Sequence, residues 1–191
     1  MRLRLINSLI LVLAFGIVTI SCKKSDPAPL GAQTNAKFLA GANKGSSKTW
    51  KLVDLTYSVN SGAATSANLG ACFKDNLISF TNNDAQDYAT TEGASKCSST
   101  DPDAVENGTW AFTLDGLILN VEVSKVTSAA GIFSPYILYF FDSDDAFQGA
   151  SWSGTPFPAF VKKIDDSNLI LEVNYSEPGY VLKVTYTLIA S

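Results

Sequence analysis

The chain has 191 residues, a net charge of −4 and no histidine. The length suits one domain with appendages, and the absence of histidine excludes Ser-His-Asp and Cys-His nucleophile systems and every histidine-ligated metal site. An acidic chain without a long basic run is a poor nucleic-acid binder, so no nucleic-acid partner is expected.

The N-terminus reads Met-Arg-Leu-Arg, then an apolar run from Leu9 to Ile20, then Ser21-Cys22. A basic start, a short apolar segment and a small residue before the cut make an export signal over residues 1–21. The run is shorter than the ~20 residues that span a bilayer. Its end, Thr19-Ile20-Ser21-Cys22, resembles a bacterial lipobox. That resemblance implies cleavage before Cys22 and diacylglycerol on its sulfur, with palmitate among the acyl chains. The alternative is an ordinary secretory signal with Cys22 incidental. Cleavage removes Arg2 and Arg4 and no acid, so the net charge falls from −4 to −6. Lys23, not Asp, follows the cysteine, which by the same analogy points to the outer membrane. The expected address is the cell envelope, periplasmic or surface-facing, with the membrane as partner through the lipid anchor. Residues 22–46 carry Pro27, Pro29 and a Gly/Ser-rich end, and read as a flexible tether in which Phe38-Leu39 packs on the domain as a short helical turn.

From residue 47 to 191 the pattern is that of strands. Trp50 to Val59 is the first. Val53, Leu55, Tyr57 and Val59 share one face while Trp50 and Leu52 fall on the other, so a bulge or bend is expected near residue 52. Residues 60–70 are loop in composition. Ile78 and Phe80 alternate in a second strand, Asn82-Asn83-Asp84 turns the chain, and Tyr88 to Glu92 is a weaker third.

The clearest unit is the hairpin from Asn107 to Val123. Asp115-Gly116 suits a two-residue type I′ turn, in which both central residues need positive φ. Folding there sets Leu114 against Leu117, Phe112 against Leu119 and Trp110 against Val121 on an apolar face. The other face pairs Ala111 with Asn120 and Thr109 with Glu122. A one-residue slip would destroy this sorting, so the register is well specified.

Tyr136 to Phe141 is a short run, apolar on both faces. Residues 142–158 have no strand pattern but carry Phe147, Trp152 and Phe157, which suits a loop covering the barrel mouth or one packed on its outside. Phe160 to Ile164 and Leu169 to Tyr175 flank a turn at 165–168. A turn at Pro178-Gly179 then pairs Tyr175 with Leu182, Val173 with Val184, Leu171 with Tyr186 and Leu169 with Leu188. No helix of ordinary length is expected. The fold class is all-β, an antiparallel up-and-down meander of eight or nine strands closed as a barrel, which removes exposed edges.

Several pieces carry a family resemblance. They are Lys48-Thr-Trp-Lys-Leu52, Cys72-Phe-Lys-Asp75-Asn-Leu-Ile-Ser-Phe80, Tyr88 with Gly93 and Cys97, Gly108-Thr109-Trp110, and the run at 168–173. Their order resembles the lipocalin-like domain of bacterial lipoproteins over roughly residues 48–190. Lys48 stands where classical lipocalins carry the Gly of Gly-x-Trp. The resemblance implies a lipocalin-like barrel that binds a small apolar ligand.

In an exported chain Cys72 and Cys97 are expected to pair as a structural disulfide; their spacing and the lack of Cys-x-x-Cys argue against a redox or thiolate-metal role. Asp142-Ser143-Asp144-Asp145 lacks the Gly and distant Glu of an EF-hand loop and reads as a solvated turn, with calcium as the alternative. Asp165-Asp166 and Asp75 read as turn chemistry. Nothing pairs two carboxylates for glycosidase work. No catalytic residue, metal or cofactor is expected. The candidate ligand-lining residues are Trp50, Trp110, Phe112, Tyr136, Trp152 and Phe157. The expectation is a monomeric, non-enzymatic, lipid-anchored binder of a small apolar ligand. The rival is a structural or protein-interaction module of the outer membrane with a filled barrel.

Overall fold

The period-two alternation folds into nine antiparallel strands in the computed structural model, which describes residues 28–127, 131, 133 and 157–191. They are β1 (Ser47–Val59), β2 (Thr65–Ser66), β3 (Leu77–Thr81), β4 (Asp87–Thr91), β5 (Ala104–Phe112), β6 (Ile118–Val126), β7 (Phe157–Ile164), β8 (Asn168–Glu177) and β9 (Tyr180–Ala190). Two helices join them, α1 (Gly31–Ala40) and α2 (Ala71–Lys74). Pairing runs β1-β3-β4-β5-β6-β7-β8-β9, and β9 returns to β1. Eight strands therefore close a barrel, and β2 adds two residues to the outer edge of β1. Closure satisfies the edge groups that an open sheet would present.

Both long hairpins adopt the register that their apolar faces require. Phe112 lies opposite Leu119 and Trp110 opposite Val121. Tyr175 lies opposite Leu182, Val173 opposite Val184, Leu171 opposite Tyr186 and Leu169 opposite Leu188. These inward residues form one core with Trp50, Leu52, Leu55, Ile78, Phe80 and Tyr88. The expected irregularity in β1 is present as a register shift between Leu52 and Asp54. It changes one assignment: the extra residue turns Val53 outward, 39% exposed, and brings Trp50, Leu52 and Leu55 onto a single buried face.

The tip of the β5–β6 hairpin differs from expectation. Only Gly116 is left-handed there, at φ +77°. The Thr113 N–H donates to the Ile118 carbonyl at 2.9 Å, which closes a four-residue loop rather than a two-residue one. Asp115 Oδ1 accepts from Thr113 Oγ1 at 2.6 Å and from the Leu117 N–H at 3.0 Å. Leu114 and Leu117 leave the ladder and stand 75% and 60% exposed.

That loop seats α1, which turns residues 31–40 of the expected tether into an ordered helix and extends the helical turn expected at Phe38-Leu39. The Ala32 N–H donates to the Leu114 carbonyl at 3.2 Å and Asn35 Nδ2 to the Gly116 carbonyl at 2.9 Å. Gly31 is required at the contact, because a Cβ there would lie 1.9 Å from the Asp115 carbonyl oxygen. Leu39 and Ala40 are fully buried. No side chain caps the helix start, so its stability comes from packing rather than from a local signal. The strand directions put α1 at one end of the barrel. The other end carries α2, the 92–103 loop and the β8–β9 turn.

Candidate functional site

The end beneath α1 is sealed. Trp50, fully buried, donates its indole N–H to the Leu39 carbonyl at 2.9 Å. Lys48 Nζ lies 4.5 Å over the same ring and donates to the Phe38 and Asp166 carbonyls, each at 2.8 Å. The residue in the classical glycine place thus ties β1, the end of α1 and the β7–β8 turn together. Trp110, 2% exposed, donates its indole N–H to the Thr81 carbonyl at 3.2 Å. It meets Phe80 edge-on at 6.3 Å and Phe112 at 5.9 Å. Both tryptophans expected to line a ligand therefore spend their polar atom on backbone carbonyls, Trp50 on α1 and Trp110 on the end of β3. Phe112 is half-buried against the core. Phe157 begins β7 opposite Val121. Cys22, Tyr136, Trp152 and the Asp142–Asp145 run lie outside the described residues.

Further along the interior the wall changes character. Tyr88, Thr90 and Glu106 face inward from β4 and β5, all at most 1% exposed. The Tyr88 hydroxyl donates to Glu106 Oε1 and lies 2.7 Å from Thr90 Oγ1. The Phe133 N–H donates to the same Glu106 oxygen at 3.2 Å. Around this polar group stand Phe80, 5.4 Å from the Tyr88 ring, and Tyr186 across the barrel on β9. Burial first, then the Glu106 carboxylate alongside, hold the Tyr88 phenol well above its usual pKa. Burial and then the same carboxylate raise Tyr186 as well. Both phenols therefore stay protonated at any physiological pH.

The hairpin pattern carried a signal for Glu106. Counting back by twos from Trp110 passes Gly108 and reaches Glu106, which puts an acid on the apolar face. Nothing local marked Phe133, which reaches the interior from beyond the end of β6.

At the far end Cys72 and Cys97 form the expected disulfide, with Cα atoms 5.0 Å apart, joining α2 to the 92–103 loop. Asp75 Oδ2 accepts from the Ser95 N–H at 2.7 Å, a turn role. Asp165 accepts from the backbone N–H groups of Ser167 at 2.9 Å and Asn168 at 2.8 Å, which holds its carboxyl well below the usual range. Glu92, 8% exposed, is pushed above its ordinary pKa, chiefly by burial and then by Asp101 and Asp75, with Lys96 opposing.

Among the described residues no group of three or more Asp, Glu or Cys is arranged to hold a metal ion. A groove of about 380 Å³ lies at β5 and β6, lined by Ala85, Gln86, Thr109, Trp110, Ala111, Asn120 and Glu122, so that one expected ligand-lining residue, Trp110, borders it. The interior group sets a carboxyl and two hydroxyls, bonded to one another, into an aromatic wall, and the chemistry open to such a set is hydrogen bonding and ring contact rather than bond breaking.

No curated protein matches the chain. A family model described as a lipocalin-like domain matches residues 47–156. The match runs from the start of β1 to the residue before β7, and β7 to β9 complete the closure beyond it. With more than half its length matched and its strands closed as an eight-stranded meander, the chain belongs to the lipocalin-like domain family.

Proposed function

We propose that the protein is a non-enzymatic, lipid-anchored binder that holds a small apolar ligand inside its barrel. The observation that carries this reading is the buried set of Tyr88, Thr90 and Glu106 set into an aromatic wall. A carboxyl removed from water is expensive, and well-packed apolar residues would stabilise a filled core at least as well. Its presence on an inner wall suits a site that orients a guest. Anchoring is supported by the export-signal pattern ending in Cys22 and by Lys23 after it. The address that follows is the cell envelope, at the outer membrane.

A second reading has its own support. Phe133, 1% exposed, packs among Tyr88, Phe80 and Tyr186 and fills part of the interior, as a structural or protein-interaction module would require. A titration separates the two. The full chain is mixed with the apolar fluorescent probe N-phenyl-1-naphthylamine while backbone amide shifts are followed by NMR. Saturable binding of one probe per chain, with shifts clustered at Tyr88, Glu106 and Tyr186, supports the binder. No saturable binding, or shifts confined to the outer surface, supports the module.

A further inference from the structure

Phe133 is unlike its neighbours in the interior. Tyr88, Thr90, Glu106 and Tyr186 belong to β4, β5 and β9, and their inward direction follows from strand register. Phe133 belongs to none of the barrel strands; β6 ends at Val126, and Thr127 still runs beside β5, donating to the Val105 carbonyl at 2.8 Å. Its ring nevertheless stacks on Tyr186 at 5.9 Å and 29°. It meets Tyr88 edge-on at 5.4 Å and Phe80 at 6.3 Å. Its amide donates to Glu106. The part of Phe133 that fills this cage is a nitrogen, two carbons and a phenyl ring, which is the skeleton of 2-phenylethylamine.

We propose that the chamber formed by Phe80, Tyr88, Glu106 and Tyr186 binds a small arylethylamine, and that Phe133 is the chain's own stand-in for it, displaced when the ligand enters. This rests on the reading above that a small guest occupies the barrel, and it adds a cationic end to the apolar part of that guest. The wall offers ring faces and edges to an aryl group. Glu106 offers an acceptor at the distance from the ring that two carbons span, and an ammonium makes a stronger bond to a carboxylate than a backbone amide does. An internal occupant lowers apparent affinity by the fraction of chains in which it is absent from the chamber. Removing the Phe133 ring therefore tightens binding.

The test titrates the full chain by calorimetry with 2-phenylethylamine and with propylbenzene, which replaces the amine by a methyl group. Phe133→Ala should bind the amine at least about tenfold tighter than the native chain, as the competing occupant is gone. It should prefer the amine over propylbenzene by roughly 10- to 100-fold, the scale of a hydrogen bond to a charged group, and Glu106→Gln should erase that preference. Phe133→Leu replaces the alanine variant if that one does not fold. In the otherwise native chain, 4-fluorophenylalanine at position 133 should move to its solvent ¹⁹F shift as the amine saturates. Equal binding of amine and propylbenzene, or amine binding with an unmoved ¹⁹F signal, overturns the proposal. If N-phenyl-1-naphthylamine enters the barrel and the amine does not, the arylethylamine inference falls alone; if neither binds, the small-ligand reading falls with it.

Discussion

Trp50→Phe probes the sealed end of the barrel. The indole N–H is the donor to the Leu39 carbonyl at 2.9 Å, and both groups are fully buried. A phenyl ring leaves that carbonyl without its indole donor, which costs about 1–3 kcal/mol. The smaller ring also opens a void of roughly 40 Å³, worth about 1 kcal/mol at ~24 cal/mol per Å³. Lys48, 4.5 Å over the indole, keeps only part of its contact with a smaller π-face. The expected loss is about 2–4 kcal/mol, or a fall in Tm of about 5–15 °C for a domain of this size. Urea unfolding followed by far-UV circular dichroism measures the loss. Amide exchange over residues 31–40 locates it, since α1 should lose protection before the strands do. A loss below about 1 kcal/mol with α1 protection unchanged would refute the claim that Trp50 holds the helix on the barrel.

Other outcomes follow from the same geometry. Replacing Cys72 and Cys97 together by Ser opens a link across a sequence separation of 25 and should lower stability by about 3.5 kcal/mol; unfolding midpoints equal to those of the oxidised native chain would count against it. Glu92 has its pKa raised above 4.5 in the folded state, so the unfolded chain gives up this proton first and native stability declines as pH rises from 4.5 through the folded value. Glu92→Gln should flatten that decline, gaining stability relative to the native chain at pH 7 and not at pH 4; parallel stability curves for the two would show that the carboxyl does not titrate in this way. Cys22→Ala should abolish incorporation of labelled palmitate and leave the chain in the soluble envelope fraction, whereas continued labelling would place the acyl group elsewhere.

The parts of this fold that the sequence announced are those where a local period carries the information. Phe112 against Leu119 and Val173 against Val184 follow from alternation around two turns, because any other register exposes a whole apolar face. The β1 bulge was visible as a conflict of phase between Leu52 and Leu55, although its outward residue, Val53, was assigned to the wrong face. The full length of α1 was missed for a physical reason: it has no capping side chain, and what holds it is Gly31 against the Asp115 carbonyl and Leu39 against Trp50, contacts between residues far apart in sequence. The candidate site divides in the same way. Trp50 and Trp110 were expected to line the ligand because they are large and aromatic, but their indole N–H groups bind backbone carbonyls of the barrel and its cap. Glu106 could be reached by extending the hairpin alternation beyond Trp110. Its contact with Phe133 could not, since 27 residues separate the two and no strand register relates them.

A barrel interior that holds a small molecule should carry it out of the cell. Native mass spectrometry of the full chain, extracted gently from its own cell envelope, tests this directly. A bound species of small-molecule mass is expected, released on denaturation and absent from a Glu106→Leu variant that retains the native circular dichroism spectrum. An unliganded mass for the native chain, persisting when envelope extract is added back, would contradict it and leave the barrel as a filled scaffold.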